Sequence, residues 1–311
     1  MARNAIAIIG SGLMGAGIAT RSVIAGYETV LLDKSTAAAS SGVDKVHQNI
    51  AQLLDNRLID GKQADGANHL LTTESNIEKA LDNVFWVIEA VSEDLPLKQE
   101  LFQLIDSLVP PEVIITSNTS GLRITEIAKF TKHPERTATT HFWFPAHLVP
   151  LVEIVMSDQT DEQVAQRLKE LLLGWKKAPV IVKKDLPGQL ANRILQAVIR
   201  ESVNIVQMGL ATPEDVDTAI KMGMGIRLPV WGPLEHIDAV GLDLALSVQQ
   251  TVLPEIGKDT EPAQCLRELV EQGRLGCKTG DGFYDWKVKD IKDLTDRRDN
   301  FIMQALRMMK L

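Results

Sequence analysis

The sequence predicts an α/β fold, in which a doubly wound and mainly parallel sheet is followed by an all-α C-terminal domain. Early in the chain, short apolar runs rich in β-branched residues alternate with longer stretches of helical period, which is typical of parallel strands linked by helices. Past residue 185 the strand patterns stop and helical patterns follow. A chain of 311 residues suits two domains, which we predict at residues 1–185 and 186–311.

The individual elements follow from the spacing of apolar residues. Strands are predicted at residues 5–9, 29–32, 85–88, 113–116, 137–142, 151–155 and 180–182. Helices of the first domain are predicted at residues 14–25, 97–108 and 161–175, with a helical excursion over residues 40–71. Helices of the second domain are predicted at residues 190–208, 213–222, 234–253, 263–272 and 289–310, the last with Phe301, Ala305, Leu306 and Met309 on one apolar face.

Composition excludes several classes of function. The formal net charge of −8 disfavours nucleic-acid binding, which needs a basic face. No apolar run approaches the length of a membrane span, and the apolar run near the N-terminus is too short for a signal peptide. Cys265 and Cys277 do not have the spacing of metal ligands and are expected to be free thiols. We therefore expect a cytoplasmic protein without a metal site, a nucleic-acid partner or a membrane partner.

A glycine-rich turn directly follows the first predicted strand and opens a helix. Gly10, Gly12 and Gly15 have the spacing that lets a chain turn tightly, approach a pyrophosphate and pack a helix on a strand. Asp33, at the end of the second strand, can accept hydrogen bonds from ribose hydroxyls and would repel a 2′-phosphate. This Rossmann-type pattern predicts NAD as the cofactor, bound by Gly10, Gly12, Leu13, Met14, Gly15 and Asp33.

Polar residues near the ends of later strands predict a catalytic site. Ser117 follows a strand, where its hydroxyl can reach a nicotinamide or a substrate oxygen. Glu153 interrupts an otherwise apolar strand and needs a partner, and His141 on the neighbouring strand is suitable. Together they predict a general base with an orienting carboxylate. The alternative is a histidine with a purely structural role.

The chain resembles the L-3-hydroxyacyl-CoA dehydrogenase superfamily over nearly its whole length. The matching segments are residues 10–19, 89–98, 117–120, 141, 151–155, 187–193 and 276–286. The resemblance implies an NAD-dependent oxidation of a 3-hydroxyl group, in fatty acid metabolism for the acyl-CoA enzymes. It also implies a homodimer formed by the helical domain.

The resemblance implies a role for individual residues as well. His141 would be the general base, Glu153 its partner, and Ser117 would hydrogen-bond the reacting hydroxyl. Asn192 would reach in from the helical domain to hold a substrate oxygen, with a helix cap as the alternative. The residues implied at the nicotinamide half of the cofactor are Glu93, Lys98 and, from the helical domain, Lys278. A solvated helix lysine is the alternative for Lys98.

Two departures bear on the substrate. Phe144 stands where the acyl-CoA enzymes usually have asparagine beside the nicotinamide and the substrate. The loop at residues 223–233 is similar to that of gulonate 3-dehydrogenase, λ-crystallin and carnitine dehydrogenase, and its Arg227 can clamp a carboxylate or form a structural salt bridge. The substrate is therefore predicted to be a 3-hydroxy acid, either free or as a CoA thioester. The alternative function is a catalytically silent NAD-binding protein, structural or sensing, like a crystallin.

Overall fold

The computed structural model describes residues 4–309, and they divide into two compact units. The first unit is formed by residues 4–190 together with residues 297–309, and the second is Ala191–Asp296. The predicted domain boundary near residue 185 stays a prediction.

The first unit is built on one sheet of eight strands. The strands are β1 (Ala5–Ile9), β2 (Glu28–Leu32), β3 (Leu71–Glu74), β4 (Val84–Glu89), β5 (Ile114–Ser117), β6 (Thr137–Phe142), β7 (Leu151–Val155) and β8 (Ala178–Val182). Their order is β3-β2-β1-β4-β5-β6-β7-β8. Every pair is parallel except β6–β7, which is antiparallel. The predicted doubly wound, mainly parallel sheet is confirmed.

Helices connect these strands. They are α1 (Leu13–Ile24), α2 (Thr36–Asp55), α3 (Gly61–Leu70), α4 (Ile77–Ala80), α5 (Leu95–Leu108), α6 (Ile124–Ile127) and α7 (Glu162–Gly174). The predicted helical excursion is thus two helices, α2 and α3, followed by the edge strand β3. The sequence analysis missed β3 because the run Leu71–Glu74 is half exposed and largely polar, so it lacks the apolar pattern of a central strand.

Buried side chains form a core on each side of the sheet. One cluster includes Ile8, Trp86 and Trp175, and the other includes Val87 and Phe102. The strands β1 and β4 are buried along their full lengths. Continuous apolar runs in these strands reflect this burial on both faces.

The second unit is all-helical, as predicted. Its helices are α8 (Ala191–Gln207), α9 (Pro213–Ala219), α10 (Pro233–Val240), α11 (Leu242–Val252) and α12 (Gln264–Glu271), with a π-helical segment at Ile220–Gly225. The prediction of one helix over residues 234–253 is wrong. Gly241 has φ +107° and separates α10 from α11, a backbone angle that glycine adopts readily and other residues do not.

The last helix, α13 (Ile291–Met309), returns to the first unit. Its buried residues are Met303 and Leu306, whereas Phe301 and Met309 are exposed. The predicted apolar face was therefore only partly right. Apolar residues surround this part of the helix, so the spacing alone does not select the face that packs. None of the helices within residues 4–309 has the length and apolar character needed to cross a membrane.

Candidate active site

The glycine turn at the end of β1 has the shape that a dinucleotide site needs. Gly10 has φ +104°, and a Cβ there would lie 2.5 Å from the carbonyl oxygen of Ala90. A Cβ on Gly15 would lie 1.7 Å from the carbonyl oxygen of Gly10. A Cβ on Gly12, by contrast, would meet nothing within 4 Å. The outer two glycines are thus required by packing, and the open space at Gly12 suits a pyrophosphate beside the first-turn N–H groups of α1.

Asp33 is fixed beside this turn. Its Oδ2 accepts hydrogen bonds from the amide (2.8 Å) and the hydroxyl (2.6 Å) of Ser11. Burial raises the pKa of Asp33, but these bonds, with the amide and charge of Lys34, outweigh it and hold the pKa below its usual value. The carboxylate is therefore ionised at neutral pH and can accept hydrogen bonds from a ribose.

The pairing of β6 with β7 creates the catalytic pair. His141 lies directly opposite Glu153 in this antiparallel pair, so both side chains project from the same face. The distance from His141 Nδ1 to Glu153 Oε2 is 2.8 Å, and both residues are buried. The sequence predicted this pair, and the strand register explains how it forms.

Further donors hold the carboxylate of Glu153. The indole Nε1 of Trp143 donates to Oε2 at 3.0 Å, and the amide of Leu190 donates to Oε1 at 2.9 Å. These hydrogen bonds hold the carboxylate of Glu153 in one orientation. Trp143 was not among the predicted site residues. Its position two residues after His141, on the same side of an extended chain, was the available signal.

A second buried charge cluster surrounds Ser117. Its hydroxyl donates to Glu89 Oε2 at 2.6 Å, and Glu89 Oε1 lies 2.6 Å from Lys98 Nζ. Glu89 and Lys98 are both almost fully buried, so Lys98 is not a solvated helix lysine. Because the proton of Ser117 is directed to Glu89, Ser117 can donate to a substrate oxygen only by leaving that carboxylate. Glu89 was not among the predicted site residues, although an acid in an apolar strand was the criterion that selected Glu153.

Glu93 organises the loop that follows β5. Its Oε1 accepts hydrogen bonds from the hydroxyl of Thr119 (2.6 Å) and the amides of Ser120 (3.1 Å) and Gly121 (3.0 Å). Burial raises the pKa of Glu93. The hydrogen bonds and the nearby charge of Lys98 together lower this pKa by a larger amount, so its net shift is downward. Glu93, Lys98 and Ser117 are therefore linked in one network.

Leu13 and Met14 lie in the first turn of α1, and the other three predicted residues lie in the second unit. Asn192 is in α8, and Lys278 lies in the turn after α12. Arg227 is exposed, and its Nε–H donates a hydrogen bond to the carbonyl oxygen of Gly223 at 3.0 Å. Arg227 has no ion-pair partner within residues 4–309. This geometry does not favour the structural salt bridge. The roles of these three residues in the site stay predictions.

Comparisons with known proteins agree with this geometry. The profile of the 3-hydroxyacyl-CoA dehydrogenase NAD-binding domain matches residues 5–186, and that of the 3-hydroxyacyl-CoA dehydrogenase C-terminal domain matches residues 188–286. A 5-formyl-3-hydroxy-2-methylpyridine 4-carboxylate 5-dehydrogenase of Mesorhizobium japonicum is 31% identical and covers 100% of this chain and 99% of its own length. A probable 3-hydroxybutyryl-CoA dehydrogenase of Bacillus subtilis is 34% identical over 91% of this chain and 98% of its own.

Solved structures give the same result. A crystal structure of the NAD⁺-dependent 5-formyl-3-hydroxy-2-methylpyridine 4-carboxylic acid 5-dehydrogenase covers 100% of this chain and 99% of its own, with 30% identity and a TM-score of 0.91. These relatives carry the names of enzymes, which favours a working dehydrogenase over the silent NAD-binding alternative.

Proposed function

This chain belongs to the 3-hydroxyacyl-CoA dehydrogenase family and is an NAD-dependent dehydrogenase of CH–OH groups, and from that premise we propose that His141 is the base that takes the proton from the 3-hydroxyl group of a 3-hydroxy acid. The observation that carries the proposal is the buried hydrogen bond between His141 Nδ1 and Glu153 Oε2. The product is the corresponding 3-oxo acid.

The path of the proton follows from this hydrogen bond. The carboxylate of Glu153 accepts a hydrogen bond from Nδ1 of His141, so the neutral imidazole carries its proton on Nδ1. The lone pair of Nε2 is then free to accept a proton. The Nε2 atom then accepts the proton of the substrate hydroxyl. The carboxylate of Glu153, held by Trp143 and Leu190, stabilises the imidazolium that forms.

The first unit contributes the residues that hold NAD. The turn at Gly10, Gly12 and Gly15 receives the pyrophosphate, with Leu13 and Met14 in the first turn of α1, and Asp33 receives the ribose of the adenosine half. When bound, NAD supplies the acceptor for the hydride of the substrate carbon. Glu93, Lys98 and Ser117 would support the nicotinamide half, and Lys278 is a further candidate ligand for it.

A free hydroxy acid is the substrate class that we favour. The Bacillus subtilis acyl-CoA relative leaves about a tenth of this chain unmatched, and the family profiles end at residue 286, before α13. The pyridine carboxylate relative matches the whole chain. Helix α13 also places the guanidinium of Arg298 5.3 Å from the ring centre of Phe144, close along the chain to His141. Arg298, Asn192 and Arg227 are the candidate ligands for the polar groups of such an acid.

The substrate class can be tested by absorbance at the NADH band. Gulonate, carnitine and other free 3-hydroxy acids are compared with 3-hydroxybutyryl-CoA under saturating NAD. We expect the largest kcat/KM with one of the free acids. A larger kcat/KM with the thioester would refute the free-acid substrate and leave the base role of His141 intact. No turnover with any of them would support the silent alternative.

Replacing the base tests the mechanism. His141→Ala removes the group that accepts the proton, so kcat falls by about 10²- to 10⁴-fold. The affinity for NAD, measured by calorimetry, stays within about twofold, because His141 does not hold the dinucleotide. An equal loss of turnover and NAD affinity would contradict the role of a base.

A homodimer and a cytoplasmic location are proposals as well. The homodimer is supported by the second unit, where Val216 is the one buried large hydrophobic side chain among residues 191–296. Leu234, Leu242 and Leu246 are more than half exposed, and apolar surface of this kind favours association. The cytoplasmic location is supported by Cys265 and Cys277, which are both free thiols.

A further inference from the structure

A cavity of about 170 Å³ lies in the first unit, and none of its lining residues belongs to the catalytic pair or the glycine turn. It is lined by Arg21 near the end of α1, by Leu53 and Leu58 around the end of α2, and by the turn from Trp175 to Lys177. Leu306 of α13 lines it too. None of these lining residues therefore has a role in the oxidation proposed above.

Two buried N–H donors of this cavity have no partner. They are Nε of Arg21 and Nε1 of Trp175, and neither makes a hydrogen bond within residues 4–309. Trp175 is 1% exposed, so water does not satisfy its indole from the surface. The guanidinium of Arg21 does donate one terminal N–H to the carbonyl oxygen of Trp175. A buried donor without an acceptor costs about 1–3 kcal/mol, which an acceptor inside the cavity would offset.

The lining carries positive charge without a compensating acid. Lys177 is buried, Arg21 is partly buried, Lys176 lies at the surface, and no Asp or Glu is among the lining residues. Lys177 Nζ donates only to carbonyl oxygens, those of Ala146 at 2.5 Å and Val149 at 2.7 Å. Isolated buried charges are unfavourable, and the missing counterpart is an anion.

The protonation of the neighbouring groups reflects this imbalance. Burial lowers the pKa of Arg21 to about 10. Burial, and then the charge of Arg21, lower the pKa of Lys177 well below its usual value. Burial and the charges of Lys177 and Arg21 lower the pKa of the adjacent His147 to about 3. The charge of Arg21 therefore disfavours protonation of Lys177 and His147, and an anion bound beside Arg21 would offset this effect.

The rest of the lining limits the ligand. Ile24, Leu53, Ile59, Leu148 and Leu306 give the cavity apolar walls. An apolar cavity of about 150 Å³ in another protein accommodates benzene, so this cavity has room for about six non-hydrogen atoms. Apolar walls beside paired donors suit an acid with a short hydrocarbon body better than a fully hydrated inorganic ion.

We propose that this cavity binds a small organic carboxylate, whose oxygens accept hydrogen bonds from Arg21 Nε and Trp175 Nε1 and whose hydrocarbon body packs against Leu53, Leu148 and Leu306. The site is independent of the hydroxyl oxidation, since it shares no residue with the catalytic pair. Bound there, the acid joins α1 to the turn before β8 and to α13.

The experiment titrates the ¹⁵N-labelled protein with butyrate, which has about the right size, and follows the indole N–H resonances by NMR. The resonance that is absent in Trp175→Phe identifies Trp175. We expect butyrate to move this resonance downfield to saturation, while n-butanol, which has the same chain without the charge, leaves it in place. Binding of butyrate at the catalytic site instead would leave the Trp175 resonance unmoved and would overturn the proposal.

Arg21→Met keeps an unbranched apolar stem and removes the charge and the N–H donors of the guanidinium. This variant is expected to lower the affinity for butyrate at least tenfold. Arg267→Met, at an exposed arginine of α12, is expected to leave the affinity unchanged. If Arg21→Met does not fold, Trp175→Phe is used in its place. Its affinity for butyrate, measured by calorimetry, is expected to fall at least threefold. Unchanged affinity in the variant tested, or inorganic phosphate that binds as tightly as butyrate, would refute an organic carboxylate site.

Discussion

At the scale of single residues, the site depends on two acids placed inside apolar strands. Glu153 is opposite His141 across β6 and β7, and Glu89 at the end of β4 joins Ser117 to Lys98. Each carboxylate accepts hydrogen bonds from several donors, which compensates for its burial. Both acids are therefore positioning residues, which act on the reacting groups through a neighbour.

The first prediction concerns the charge of Glu153. In Glu153→Gln the amide nitrogen can donate to His141 Nδ1, which places the imidazole proton on Nε2 and removes the acceptor for the hydroxyl proton. We expect kcat to fall by about 10²- to 10⁴-fold, with KM and NAD affinity nearly unchanged. Steady-state kinetics and calorimetry measure these quantities.

Trp143→Phe provides the matched control, because it removes one donor to Glu153 and keeps the carboxylate. Its kcat should fall by less than about tenfold, as expected for one lost hydrogen bond. If Glu153→Gln lowered kcat no more than Trp143→Phe does, the carboxylate would not set the tautomer of His141.

The next prediction concerns the buried ion pair of Lys98 and Glu89. Lys98→Met leaves a carboxylate buried without its cation, so the free energy of unfolding should fall by about 3–5 kcal/mol. Urea denaturation followed by tryptophan fluorescence measures this change. Lys62→Met, at an exposed lysine of α3, should change it by less than about 0.5 kcal/mol.

The double variant Lys98→Met with Glu89→Gln tests the cause. Neutralising both partners removes the unpaired charge, so the double variant should be more stable than Lys98→Met alone. A loss in the double variant equal to the sum of the two single losses would show that the residues act independently.

At the scale of elements, α13 is the segment that sets this chain apart from the family profiles. It begins beyond residue 286, where the C-terminal profile ends. Its inner side buries Met303 and Leu306 in the first unit, and its Arg298 contacts Phe144. This helix therefore brings both apolar packing and positive charge to the unit that carries the catalytic pair.

The packing of α13 gives a prediction with a control in the same helix. Met303 is 2% exposed and Met308 is 84% exposed. Met303→Ala should lower the free energy of unfolding by about 2–5 kcal/mol, because it removes a buried side chain and leaves a cavity. Met308→Ala should change it by less than about 0.5 kcal/mol. Equal small losses, measured by urea denaturation, would mean that α13 is not packed on the first unit in solution.

At the scale of the whole molecule, the two units differ in how they bury apolar side chains. The first unit has a core on each face of its sheet. The second has helices of marked amphipathic character whose large apolar residues remain exposed. A helical unit of this kind gains its stability from packing against another surface. We attribute that surface to a second copy of the chain.

This attribution is tested by sedimentation. The protein should sediment as a dimer at micromolar concentration, and Leu246→Arg in α11 should weaken the dimer at least tenfold by adding a charge to an apolar surface. Leu104→Arg, at a comparably exposed leucine of the first unit, should leave the dimer intact. A native protein that sediments as a monomer would contradict the attribution.

Local signals in the sequence were sufficient for much of this protein. The glycine spacing, the acid at Asp33 and the apolar strands predicted the sheet and the NAD site, because turn geometry and strand burial depend on neighbouring residues. The pair of His141 and Glu153 was also predictable, since a carboxylate in an apolar strand requires a partner.

Only the tertiary structure decided the features that depend on contacts distant in sequence. The tethering of Ser117 to Glu89 and the side of α13 that is buried both depend on which surfaces meet. The cavity at Arg21 and Trp175 brings together residues that are far apart in the chain. The period of apolar residues predicts which side chains are buried. Which residues those side chains contact depends on the tertiary structure.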